Sequence, residues 1–64
     1  MRSYEVAAVK MAVKRAKKNG LEHGFRSIET WRRHWNSQGI AVDYEGVLKW
    51  YRKWYKRQLH NQKI

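Results

Sequence analysis

The stretch DYEGVLKWYRKWYKRQLH, residues 43–60, decides the fold. Wound as an α-helix with Val47 at 0°, its residues Trp50, Trp54, Tyr51, Tyr55, Leu48 and Leu59 fall between about 300° and 120°. Lys49, Arg52, Lys53, Lys56, Arg57 and His60 fall between about 140° and 280° by the same period. The two sets do not interleave. The segment therefore reads as an amphipathic helix over residues 44–60 with Asp43 as its N-cap. Asn61 to Ile64 read as a frayed tail.

Working back from that helix, Ile28, Trp31 and Trp35 recur at i, i+3 and i+7 and predict a shorter helix over residues 28–37. Ser27 stands at its N-cap position, Glu29 lies in its first turn, and Leu21 or Phe25 is placed to staple across its start. Gly24 falls in the connection before it. The first helix reads as residues 4–19 behind Ser3, with Glu5 favourably placed near the positive end of its dipole. Val6, Val9, Ala12, Val13 and Ala16 gather on one side of it; Lys10, Lys14, Lys17 and Lys18 gather on another. Asn19-Gly20 and Gln38-Gly39, each followed by an apolar residue, read as helix stops. No alternation of apolar and polar residues runs long enough for a sheet. The fold class is all-α, a small three-helix domain without disulfides or metal. Its expected core is Val6, Val9, Val13, Ile28, Trp31, Trp35, Val47, Leu48, Tyr51, Trp54 and Tyr55.

A W-x-R-x-W pattern occurs twice, at Trp31–Trp35 and Trp50–Trp54. Two helices that each need a pair of large rings on one face account for it without duplication.

Composition sets the function class. The 64 residues hold no cysteine and no proline, 15 Lys or Arg against 5 Asp or Glu, and a formal charge of +10. A chain this short is one small domain, with too little material for a deep pocket and its supporting shell, so an enzyme is not expected. Nine aromatic rings supply a workable core, yet domains below about 70–80 residues hold a margin of only a few kcal/mol. No apolar run reaches the length of a membrane span, and Arg2, Glu5, Lys10 and Lys14 exclude a signal-peptide core. A cytoplasmic setting is expected.

Catalytic and metal-binding patterns are missing. His23, His34 and His60 show no metal-ligand spacing. Ser3, Ser27 and Ser37 sit at caps or in loops, and most of the acids sit in first turns, where capping explains them. No glycine-rich phosphate loop occurs. No cofactor is expected.

The cations carry the functional case. Residues 1–20 hold six Lys or Arg and one acid, residues 43–64 hold six and two, and residues 21–42 hold three and two. Charge concentrated on two helices reads as a footprint for a polyanion. Lys49, Arg52, Lys53, Lys56 and Arg57, helped by Lys10, Lys14 and Lys17, are the candidate nucleic-acid contacts, with Arg52 the candidate for a base edge.

Segment 28–58 has the outline of a helix-turn-helix, with a connection longer than the usual turn and with Trp35 where a small residue is customary. The expected function is nucleic-acid binding, of DNA in preference to RNA, through the phosphate backbone, as in a mobile-element or phage regulator. The alternative is a non-enzymatic inhibitor that docks on an acidic or nucleic-acid-binding surface of a host protein. No small-molecule substrate is expected. A membrane-surface role, suggested by the Trp, Tyr and Lys of the last helix, ranks below both because three capped helices can bury one another's apolar faces.

Overall fold

The computed structural model describes the backbone of residues 1–62 and the surroundings of side chains through Gln58. Three α-helices make up the fold: α1 (Ser3–Asn19), α2 (Leu21–Ser37) and α3 (Tyr44–Gln62). No strand occurs among the described residues. Helix α3 continues past the expected start of fraying at Asn61; Lys63 and Ile64 lie outside the described residues, as do the side chains of Leu59 and His60.

Helix α1 begins one residue earlier than expected. Arg2, not Ser3, is the N-cap, because Glu5 reaches back and accepts a hydrogen bond from the Arg2 backbone N–H at 2.9 Å. This is the reach-back half of a capping box.

Helix α2 differs more. It starts at Leu21, not at Ile28, so Ser27 is an interior residue rather than a cap. One residue, Gly20, makes the whole corner. Its N–H closes the last bond of α1 onto the Ala16 carbonyl at 2.8 Å, and its carbonyl accepts from the His23 N–H at 3.1 Å. Its φ of 108° and ψ of 162° lie in a region essentially reserved for glycine. Gly24, expected in a loop, is buried inside α2.

Helix α2 ends in a Schellman motif. The Ile40 N–H donates to the Trp35 carbonyl at 2.9 Å and the Gly39 N–H to the Asn36 carbonyl at 3.2 Å, with Gly39 at φ 69°. A connection over residues 38–43 then leads to Asp43, whose Oδ1 accepts from the Gly46 N–H at 3.1 Å and caps α3 as expected.

Side-chain contacts fix the directions. Tyr4, near the start of α1, meets Trp35, near the end of α2, edge-on at 5.8 Å, so the two helices form an antiparallel hairpin. Glu5 Oε2 accepts from the Asp43 N–H at 3.2 Å, and Lys17 Nζ donates to Gln58 Oε1, also at 3.2 Å. These bonds join the two starts and the two far ends, so α3 runs parallel to α1.

The core is built on small residues. Ala8, Val9, Ala12, Val13 and Ala16 of α1 are buried against Ile28, Trp35, Val47 and Tyr51. Alanines on the central helix let both partners approach closely, and that leaves no deep site for every large ring. Val6, Trp31, Leu48, Trp54 and Tyr55, expected in the core, are only half-buried. Tyr51 is the exception: its ring fills the space beside Gly24, and its hydroxyl donates to the Leu21 carbonyl at 2.7 Å. Burial raises the Tyr51 pKa above its ordinary value, with a smaller contribution from Tyr55.

Candidate nucleic-acid interface

Every cation picked out in the sequence is exposed: Lys49, Arg52, Lys53, Lys56 and Arg57 on α3, and Lys10, Lys14 and Lys17 on α1. The two groups border different grooves. Because α3 runs parallel to α1, the lysines of α1 face a flank of α3 along a shared groove of about 520 Å³. Lys10, Lys14, Lys17 and Lys18 come from α1, with Trp54 and Gln58 from α3.

Along α3 the cations divide by flank. Lys49, Arg52, Lys53 and Lys56 border a shallow outer groove with Glu45 and Leu48. The Arg52 guanidinium turns towards α2 and lies 5.6 Å from the centre of the Phe25 ring. That placement ties the candidate base-reading residue to the packing of its own fold. Lys53 turns the other way, its ammonium 5.2 Å from the centre of the Trp50 ring.

Trp50 is the most exposed large aromatic of the fold, at 40%. It meets Trp54 edge-on, with ring centres 6.0 Å apart and planes at 87°. Met1, Val6 and Val9 complete an apolar pocket beneath this pair. One continuous strip thus carries a row of lysines, two indole rings and the Lys53 ammonium. Lys18, Trp54 and Gln58 belong to it and were not among the expected contacts. Lys18 carried a signal in its spacing from Lys10, Lys14 and Lys17. For Trp54 and Gln58 the only signal is the parallel alignment of α1 and α3, a tertiary fact.

The α1–α2 groove is different in character. Arg15 and Arg26 border it with His23, Met11, Thr30 and Trp31, so cations are not confined to the flank shared with α3. Arg32 stacks 4.3 Å from the centre of the Tyr44 ring, and the Tyr44 hydroxyl donates to Glu29 at 2.7 Å. Burial, then the bond to Glu29, raises the Tyr44 pKa. This cluster locks α2 to the start of α3.

Among the described residues no group of His, Cys, Asp or Glu could hold a metal ion, and no helix is long and apolar enough to cross a membrane. No buried side-chain polar atom among them lacks a hydrogen-bond partner. The arrangement offers charge and ring surface. No protein family, no curated protein and no solved structure matches the chain.

Proposed function

We propose that this chain is a small, non-enzymatic nucleic-acid-binding protein, acting in the cytoplasm as a mobile-element or phage regulator, with DNA preferred over RNA. The lysines of α1 and the cations of α3 grip the phosphate backbone together. One observation carries the reading: Lys10, Lys14, Lys17 and Lys18 of α1 line one groove and Lys49, Arg52, Lys53 and Lys56 of α3 line another, so the charge is gathered into two rows. A row of cations on one face neutralises successive phosphates and releases their counterions, which makes affinity strongly salt-dependent. Solubility alone needs far less than a charge of +10, and needs no alignment of it.

The test is a salt titration of binding to a short labelled duplex and a short labelled single strand. The logarithm of affinity falls linearly with that of salt if phosphates are being neutralised, and replacing Lys14 or Lys53 by Ala lowers the slope by about one unit. Affinity that is insensitive to salt would refute the proposal.

The second reading, an inhibitor that docks on an acidic protein surface, is favoured by Met1, Val6, Val9 and Trp50, which form an apolar pocket at the end of the lysine groove. A protein partner would bury that pocket and hold its stoichiometry at moderate salt.

A further inference from the structure

Trp50 presents more indole surface than its packing on Trp54 and the Met1–Val6–Val9 pocket covers: it is 40% exposed and lies outside the buried core of Val9, Ala12, Val13, Ile28, Val47 and Tyr51. It nevertheless stands beside the lysine groove, with Trp54 against its edge and Lys53 near its ring. Rows of cations with exposed aromatic rings are what an unpaired strand uses, since phosphates follow the charges while bases stack on the rings. A duplex keeps its bases paired and stacked internally, so it has no use for an exposed indole on a phosphate-binding face.

We infer that the α1–α3 groove binds single-stranded nucleic acid, with a base stacked on the Trp50–Trp54 pair beside the Lys53 ammonium and the adjoining phosphates held by Lys10, Lys14 and Lys17 of α1. The inference rests on the nucleic-acid reading above and narrows its ligand to an unpaired strand.

Three probes separate the two claims: an oligo(dT) of about a dozen nucleotides, within the range one small domain covers, an abasic strand with the same phosphates, and a duplex of the same length. Tryptophan fluorescence and anisotropy report binding to the full chain. The expected result is tightest binding to oligo(dT), with quenching of tryptophan emission. Trp50→Ala should weaken oligo(dT) binding about tenfold or more, as loss of one stacked base does, and leave abasic-strand binding nearly unchanged. Trp50→Phe should restore part of the loss, and Trp50→Leu, which keeps an apolar side chain without a ring, should not. The far-ultraviolet dichroism of each variant shows whether its helices persist. Equal affinity for the abasic strand and oligo(dT), or tighter binding of the duplex, would overturn the single-strand inference and leave the nucleic-acid reading standing. Failure of all three probes, with retention on anionic phosphatidylglycerol vesicles or without it, would remove both.

Discussion

The hydroxyl of Tyr51 occupies the space where a side chain on Gly24 would have to lie, and it donates from there to the Leu21 carbonyl at 2.7 Å. Helix α2 therefore carries a notch that α3 fills. A Cβ at Gly24 would meet the Tyr51 ring as well as its hydroxyl, and a ring with Phe25 edge-on at 5.1 Å cannot simply swing aside. Gly24→Ala should raise helix propensity and still destabilise the fold, by about 1–3 kcal/mol, as overpacking does. Thermal or urea unfolding measures this; a stabilised variant would mean that the two helices do not meet in this way.

Tyr51 also makes stability depend on pH. Its folded pKa lies above its ordinary value because burial disfavours the phenolate. The neutral form is thus the one the fold prefers, and its contribution is fully present below about pH 10 and lost as pH rises through the folded pKa. Tyr51→Phe removes the hydrogen bond at all pH values, at about 0.5–1.5 kcal/mol. Wild type should therefore be the more stable near neutrality, and the gap to Tyr51→Phe should close above pH 10. Tyr44 titrates in both proteins and drops out of the difference. A gap constant from neutral pH to about pH 11 would contradict the assignment.

Gly20 is required for another reason. No atom lies within 4 Å of a Cβ built there, so space is free, but φ of 108° with ψ of 162° is closed to other residues. Gly20→Ala should cost about 1–3 kcal/mol through backbone strain alone. Asn19→Ala, one residue earlier in the last turn of α1, should shift the midpoint by no more than about 0.5 kcal/mol. Paired unfolding curves decide it: equal midpoints would count against the one-residue corner.

Glu5 joins two helix starts. The residue is 5% exposed, and its carboxylate accepts from the backbone N–H groups of Arg2 and Asp43. Glu5→Ala leaves both donors without that partner and should destabilise by about 1–3 kcal/mol. Glu5→Gln, which keeps one acceptor, should lose less. Denaturant midpoints that rank the two variants in the opposite order would exclude this role.

Charge reversal on α3 separates interface from fold. Lys49, Lys53, Lys56 and Arg57 are exposed, so reversing them should leave the helices intact while abolishing salt-dependent binding. Arg52 behaves otherwise, because its guanidinium lies over Phe25. Arg52→Ala should lower both the melting temperature and the affinity, whereas Lys53→Ala should lower only the affinity. A reversed variant that folds and still binds would move the contact to α1.

Helix α3 was legible nearly to the residue, because its apolar and cationic angular sets are disjoint and Asp43 caps it. Helix α1 was displaced by a single residue at its start. Most of the miss fell on α2, seven residues longer at its start than its periodicity indicated. Gly24 looks like a breaker in one dimension; in three it is the residue that makes room for Tyr51. The eight cations were legible as exposed charges; that those of α1 share a groove with Trp54 and Gln58 of α3 was not. Nothing local to α1 or α3 says that the helices run parallel with Lys17 opposite Gln58. The alanines of α1 were legible as one face, while their effect, displacing Trp31 and Trp54 from the centre to the groove edges, depends on how closely three helices approach.

The parallel pairing of α1 with α3 has a kinetic consequence. The α1–α2 hairpin closes through one residue, and its contacts are local, so its two helices can meet early at little loop-closure cost. The α1–α3 cleft joins segments about forty residues apart, as in the bond from Asp43 to Glu5, and it exists only once α3 docks. The lysine groove is thus expected to be the last feature completed. A partly folded chain displays the same lysines without the cleft that aligns them, so under the proposed function it would attract polyanions loosely while only the finished fold would hold them in register.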